Sequence, residues 1–103
     1  MSALLMSEKL FPLVEIKNPE QYVLIASGPL VRQPNTMPSR IVLIYDKMKK
    51  EYAIYNNIIH KGESIFCNGT YYKDTELKYA TTKFAEQVRI CAELYYDSLL
   101  TRI

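Results

Sequence analysis

The sequence predicts an α+β domain, in which a small antiparallel β-sheet of four to six short strands carries one long C-terminal α-helix on one face. Two observations predict it. Short apolar runs rich in β-branched and aromatic residues, separated by turn residues, fill most of the chain before residue 74. After that residue, apolar side chains recur at steps of three and four, which is the period of an amphipathic helix.

The size and composition indicate a single folded unit. The chain has 103 residues, of which 49% are hydrophobic and 23% are charged, and both fractions are close to those of globular domains. We therefore expect one α+β domain over residues 12–103, preceded by an N-terminal arm or short helix over residues 1–11. Nine tyrosines and no tryptophan favour half-buried rings whose hydroxyls reach water or a partner.

The first strands are predicted from apolar runs bounded by turn residues. They are residues 12–17, 22–26, 41–45 and 51–56. Asn18, Pro19 and Glu20 predict a turn between the first two, because proline fixes φ and asparagine bonds to its own backbone. Residues 28–39 contain three prolines, which predicts a long loop without regular structure. Residues 46–50 connect the last two strands as a hairpin.

A second hairpin is predicted at Asn68 and Gly69. This dipeptide accepts the positive φ angles of a type I′ turn and is the strongest short hairpin signal. Its arms are residues 65–67 and 70–72, both rich in strand-forming side chains.

The final segment predicts a helix over residues 75–101. Asp74 is placed to cap its first turn, because a carboxylate accepts hydrogen bonds from free backbone amides there. One continuous apolar stripe follows the helical period. Its members are Leu77, Ala80, Phe84, Val88, Cys91, Tyr95 and Leu99.

The residues that carry chemistry are few and scattered. His60 and Cys67 can be imagined as a base and a nucleophile, but no third orienting group is apparent. Cys91 lies on the apolar stripe, and no Cys-x-x-Cys or paired-histidine spacing for zinc occurs. The three glycines match no phosphate-binding pattern. We expect no catalytic residues, no metal and no cofactor, and therefore a protein that is not an enzyme.

The expected compartment is the cytoplasm. The first residues lack the pattern of a secretory signal, and no apolar run reaches the roughly 20 residues that cross a bilayer. We expect no membrane association, and both cysteines reduced.

One basic region leaves nucleic-acid binding open as an alternative. Residues 28–50 contain five basic side chains and a single acidic one. The basic residues are Arg32, Arg40, Lys47, Lys49 and Lys50. Neighbouring tyrosines can stack on single-stranded bases, although the pI near 8.5 is below that of a committed nucleic-acid binder.

Surplus apolar residues favour protein binding instead. Residues 22–26 and 41–45 are apolar on both faces, whereas an antiparallel sheet with one wet face alternates apolar and polar residues. The predicted partner-binding residues are Tyr79, Ile90 and Leu94 on the outer side of the helix, and Tyr52 and Tyr55 on the sheet. We therefore expect a small non-enzymatic protein-binding module, such as an inhibitor, an adaptor or an accessory protein of a phage. Its partner is another protein or a second copy in a homodimer.

Overall fold

The computed structural model describes residues 14–31 and 37–100, with side chains through residue 94. The predicted arm, residues 1–11, lies outside them. The elements are β1 (Tyr22–Ser27), β2 (Ser39–Asp46), β3 (Glu51–His60), β4 (Glu63–Lys73), a 3-10 turn (Asp74–Glu76) and α1 (Leu77–Leu100). The four strands form one antiparallel sheet in the order β1-β2-β3-β4, and α1 packs against it. The predicted α+β class is confirmed.

The strands fall close to the predicted ranges except at the start. β1 and β2 extend the predicted runs by a few residues, and β3 continues to His60. The turn at Asn18 is confirmed, because its carbonyl accepts hydrogen bonds from the amides of Gln21 and Tyr22. The strand predicted at residues 12–17 is wrong for residues 14–17, which are irregular. They lie across the sheet instead of pairing within it, and residues 12 and 13 are outside the described part.

The predicted loop at residues 28–39 is attached to the sheet at both ends. The Gly28 amide donates to the carbonyl of Ile41, and Val31 and Ser39 exchange two backbone hydrogen bonds of 2.8 Å. Leu30 is fully buried. The loop therefore contributes an apolar side chain to the interior, which its proline content did not predict.

The second hairpin turns at Lys61 and Gly62, not at Asn68 and Gly69. Lys61 (φ 51°) and Gly62 (φ 79°) both have positive φ, as a type I′ turn requires, and His60 pairs directly with Glu63. The predicted hairpin at Asn68 is wrong, because β4 runs without a break from Glu63 to Lys73. A single strand replaces the two predicted arms.

Asn68 and Gly69 form a β-bulge within β4. Ile54 pairs with Thr70 and Asn56 pairs with Cys67, so two residues of β4 oppose one residue of β3. Asn68 has a φ of 57°, a conformation that asparagine tolerates better than most residues. The extra residue reverses the alternation of side chains beyond it.

The helix begins slightly later than predicted and is capped differently. Asp74 is the first residue of the 3-10 turn rather than a cap, and the Glu76 carboxylate accepts the hydrogen bond from the Lys73 amide at 3.0 Å. A capping side chain that reaches back in this way satisfies a free amide at the helix start. Within the described residues, no helix combines the length and apolar character needed to span a bilayer.

The helix covers one side of the sheet, here called the helix face. Ala80 is fully buried and clusters with Leu43, Tyr52 and Ile54, with Phe84 packed beside them. Gly28 permits close approach farther along, because a Cβ there would lie 3.0 Å from a methyl of Val88. This half of the core follows the predicted stripe, although Leu77 at its start is exposed.

The opposite side of the sheet, here called the far face, is also buried at its centre. Val42, Ile44 and Ala53 are each less than 5% exposed, and the strand register places them on the side away from Leu43 and Ile54. The expectation that both faces of residues 41–45 are covered is therefore confirmed for β2. Residues 14–17 supply part of the cover, since Val14 and Ile16 are half-buried.

Gly69→Ala is expected to destabilise the fold. A Cβ at Gly69 would lie 2.7 Å from Cε1 of Tyr55 and 2.9 Å from the hydroxyl of Tyr71, so both rings would have to move. We expect the free energy of unfolding to fall by about 1–3 kcal/mol, the usual cost of overpacking, as measured by urea denaturation.

Gly62→Asn is the matched control. Gly62 has open space around its Cβ position, and asparagine accepts its positive φ, so the stability should change by less than about 0.5 kcal/mol. Equal stabilities of the two variants and the wild type would contradict the bulge contact.

Candidate functional site

Three aromatic rings form a cluster on the far face. The Tyr55 ring contacts Phe66 edge-on, with centroids 5.7 Å apart, and Tyr71 on its other side at 6.0 Å. The hydroxyls of Tyr55 and Tyr71 lie 3.3 Å apart. Edge-to-face pairs of this kind stabilise a fold beyond the area that they bury. The cluster exists because the bulge places Phe66 and Tyr71, five residues apart, on the same face.

Burial and the neighbouring hydroxyl keep Tyr55 protonated. Desolvation raises its pKa most, and the hydrogen bond that it donates to Tyr71 raises the pKa further. The nearby phenol of Tyr22 and the carboxylate of Asp46 act in the same direction. Tyr55 is therefore a neutral hydrogen-bond donor at physiological pH.

A groove of about 430 Å³ runs across the far face; we call it the aromatic groove. Tyr22, Ile44, Tyr55 and Phe66 supply its apolar surface, and the segment 15–17 forms one wall. The polar side chains that line it are Glu15, Lys17, Glu63 and Ser64. An apolar lining with a few polar groups is typical of small-molecule sites, as is this volume.

A buried hydrogen-bond chain ends at this groove. The Arg40 Nε donates to Oδ1 of Asn57 at 2.9 Å, and Asn57 Nδ2 donates to the Ser64 hydroxyl oxygen at 2.6 Å. Arg40, Asn57 and Ser64 are all less than 8% exposed. Since Asn57 uses its oxygen for Arg40, its amide orientation is fixed, and the Ser64 oxygen acts as an acceptor.

The edge strand β1 carries three consecutive exposed apolar side chains. Val23, Leu24 and Ile25 are 36%, 37% and 45% exposed, and Tyr22–Ser27 contains no charged residue. A register shift between Leu24 and Ala26 makes Ile25 a bulge residue. On the side away from β2, the strand pairs with no other described strand.

The predicted residues on the outer side of the helix are exposed as expected. Tyr79, Ile90 and Leu94, here called the outer helix stripe, are all exposed. The Tyr79 ring packs edge-on against Tyr72 of β4 at 5.5 Å, and the Lys83 ammonium lies 5.5 Å from the Tyr79 centroid. Tyr79 is about 16 Å from Ile90 along the helix, so the stripe is interrupted rather than continuous.

The predicted sheet tyrosines do not lie on a free edge. Tyr52 is 9% exposed, belongs to the core under the helix and packs against Tyr45 at 4.7 Å. Little of its ring therefore faces solvent, whereas its assignment as a partner-binding residue stays a prediction. Tyr55 is half-buried on the far face and contributes to the aromatic groove instead.

The basic residues of the nucleic-acid alternative are not brought together. Arg40 is buried and bonded to Asn57, whereas Lys47, Lys49 and Lys50 are exposed at the turn beyond the other end of β2. About 23 Å of strand separates Arg40 from Lys47. Arg32 lies outside the described residues. The described side chains thus form no continuous basic surface.

The residues considered for catalysis are also apart. His60 ends β3 opposite Glu63, and four residues of β4, about 13 Å, separate Glu63 from Cys67. Cys67 and Cys91 are both free thiols, and burial raises the pKa of Cys91, which makes it less reactive. Across residues 14–31 and 37–100, no cluster of three His, Cys, Asp or Glu side chains is placed to hold a metal.

Sequence reasoning missed the contributions of Ser64 and Phe66 to the groove. Phe66 was predicted only as part of a hairpin arm, and Ser64 lay in none of the predicted elements. The only local signal was the polar Asn57 within an apolar run, since a polar residue in such a strand needs a buried partner. Asn57 has two such partners, Ser64 at 7 residues away in sequence and Arg40 at 17 residues away.

Tyr55→Phe is expected to weaken the alkaline sensitivity of the fold. An unfolded tyrosine has a pKa near 10, and the folded pKa of Tyr55 is higher. The protonated phenol therefore contributes stability that is fully present below about pH 10 and is lost as the pH rises through the folded pKa. The wild type should lose stability more steeply above that pH than the variant, as measured by urea denaturation across pH.

Tyr71→Phe is the control for the hydrogen bond. It removes the acceptor but keeps the ring. In an ultraviolet titration of the tyrosines, the raised pKa of Tyr55 should therefore fall towards that of an ordinary tyrosine. Because desolvation is the larger cause of the shift, the pKa of Tyr55 should remain above that of an ordinary tyrosine. Identical alkaline profiles for the wild type and Tyr55→Phe would contradict the assignment.

Comparison with known proteins identifies no relative: no family model, curated protein or solved structure matches the chain.

Proposed function

We propose that the protein is a non-enzymatic protein-binding module that associates by strand addition at β1. The observation that carries the proposal is the exposed, uncharged run Val23–Ile25 on an edge strand. An edge strand offers a row of backbone donors and acceptors, and apolar side chains beside it favour pairing with another strand.

The other edge of the sheet supports the choice of β1. β4 begins with Glu63 and ends with Lys73, and charged residues on an edge discourage pairing. The bulge at Asn68 and Gly69 also disturbs the regular spacing of hydrogen-bonding groups along β4. β1 has one of these protective features, the bulge at Ile25. That bulge limits a partner's ladder to the residues on either side, while it leaves the Ile25 side chain free for contact.

The first partner is a second copy of the chain. Two copies of β1 can pair antiparallel about a twofold axis, which is the commonest symmetry of soluble oligomers. Since Tyr22–Ser27 has no charge, this pairing places no like charges opposite each other. The two sheets of four strands would join into a continuous sheet of eight.

The outer helix stripe stays free in such a dimer. Tyr79 contacts Tyr72 of β4, which lies at the edge opposite β1. Ile90 and Leu94 belong to the half of the helix nearer β1, where Val88 packs on Gly28. They are exposed on its outer side, so a dimer would still present both stripes to a further protein. This arrangement suits an adaptor or an inhibitor, because the self-contact and the partner contact do not compete.

Ile25→Lys is expected to convert the dimer into a monomer. The substitution replaces an exposed apolar contact with a charge that each copy would bring to the interface. We expect light scattering coupled to size exclusion at micromolar concentration to give about 24 kDa for the wild type, twice the chain mass of 12.0 kDa. The dissociation constant of the variant should rise at least tenfold, about 1.4 kcal/mol.

Two further variants locate the contact. Met48→Lys changes an equally apolar residue, 76% exposed in the β2–β3 turn, and should leave the dimer intact. Ile90→Lys should do the same, because the stripe lies outside the β1 contact. A dimer disrupted by Ile90→Lys but not by Ile25→Lys would move the interface to the helix. A monomeric wild type would refute self-association.

A further inference from the structure

The aromatic groove has a hydrogen-bond donor fixed at its wall. Ser64 is 7% exposed and lines the groove. Its oxygen accepts from Asn57 Nδ2 at 2.6 Å, so its own hydrogen must point away from Asn57. Within the part of the chain that the structure describes, Ser64 donates to no acceptor. A buried hydroxyl that lacks an acceptor gains free energy when a ligand supplies one.

The chain of hydrogen bonds behind Ser64 makes this donor rigid. Asn57 is fully buried, its Oδ1 is held by Arg40 Nε at 2.9 Å, and its Nδ2 also reaches the Ile65 carbonyl at 3.3 Å. The amide cannot rotate without breaking these bonds. The Ser64 oxygen is therefore held in place before any ligand arrives, and only the rotation of its O–H bond is lost on binding.

The remaining lining selects an apolar, uncharged ligand. Ile44, Tyr55 and Phe66 provide apolar surface, and the T-shaped contact of Tyr55 with Phe66 holds their rings in place. Glu15 and Glu63 disfavour an anion, and Lys17 offsets the charge of one of the two carboxylates, so the lining offers a cation little net charge. A flat aromatic body of ordinary small-molecule size fits the volume of about 430 Å³.

We propose that the aromatic groove is a binding site for a small uncharged aromatic molecule that carries a carbonyl acceptor. The ring packs against Tyr55 and Phe66, and the carbonyl oxygen accepts the hydrogen bond from the Ser64 hydroxyl. Tyr22 at the start of β1 lines the site, but the exposed run Val23–Ile25 does not, so binding there does not depend on the proposed strand addition.

Two probes of nearly identical shape test the donor. Acetophenone has a carbonyl where α-methylstyrene has a methylene group, so only the first can accept from Ser64. Titration of the ¹⁵N-labelled full chain, followed by NMR, should shift the amides around Tyr55, Ser64 and Phe66 with both probes. Acetophenone should bind three- to tenfold more tightly, the ratio expected of one net hydrogen bond.

Ser64→Ala should remove that preference. Acetophenone should bind three- to tenfold more weakly to the variant, whereas α-methylstyrene should bind as before. Ser27→Ala, a serine outside the groove, is the matched control and should change neither affinity. Because loss of Ser64 removes one partner of Asn57, thermal melts of both variants establish that the fold is retained.

Three results would overturn the proposal. One is the absence of shifts on the far face at millimolar probe. Another is equal affinity of the two probes in the wild type, which would remove the role of Ser64. The third is binding that appears only after deletion of residues 1–13, which would assign the groove to the chain's own N-terminal segment. Ile25→Lys should bind both probes normally, so failure here is distinguishable from failure of the β1 interface.

Discussion

The bulge at Asn68 and Gly69 is the constraint on which the rest of β4 depends. It adds one residue to the strand, so the side chains beyond it exchange faces. Without it, Tyr72 would leave the helix face, where it contacts Tyr79. Tyr71 would leave the far face, where it pairs with Tyr55. One inserted residue thus sets the packing of the helix start and completes the aromatic cluster.

Gly69 explains why the bulge and the cluster occur together. The Tyr55 ring lies directly over the Gly69 backbone, closer than any side chain at that position would allow. The glycine is required here for close approach, whereas Asn68 supplies the positive φ. The two residues have separate physical roles, and the dipeptide satisfies both within a continuous strand. The ring that depends on them also forms part of the aromatic groove.

The limits of sequence reasoning are visible at this same dipeptide. Fold class, the long helix and the cores of β1, β2 and β3 were predictable, because apolar periodicity follows directly from one-sided burial. The Asn68 hairpin was not, since a type I′ turn and a bulge both use a residue with positive φ. Only the length of β3, which continues to His60, decides that the chain turns at Lys61 and Gly62.

The candidate sites were harder to predict because they depend on contacts distant in sequence. The sequence grouped Arg40 with other basic residues. In the structure, its Nε donates a buried hydrogen bond to Oδ1 of Asn57, which is 17 residues away in sequence. The surplus of apolar residues at 22–26 was compatible both with a strand covered on its two faces and with an exposed apolar surface. The central position of β2 absorbs such a surplus on both faces, whereas the edge position of β1 leaves it exposed. Strand order decides between these outcomes, and a run of apolar residues carries no information about it.

The tyrosines of the described residues lie mostly where the core meets the surface. Among the described side chains, three tyrosine pairs occur, one under the helix, one on the far face and one at the helix start: Tyr45–Tyr52, Tyr55–Tyr71 and Tyr72–Tyr79. In the last two pairs, one ring is half-buried and its neighbour is exposed. A tyrosine suits both positions, because its ring packs while its hydroxyl meets water or a partner. Each exposed ring in these two pairs packs against a more buried one, so these surface rings are ordered in the folded chain.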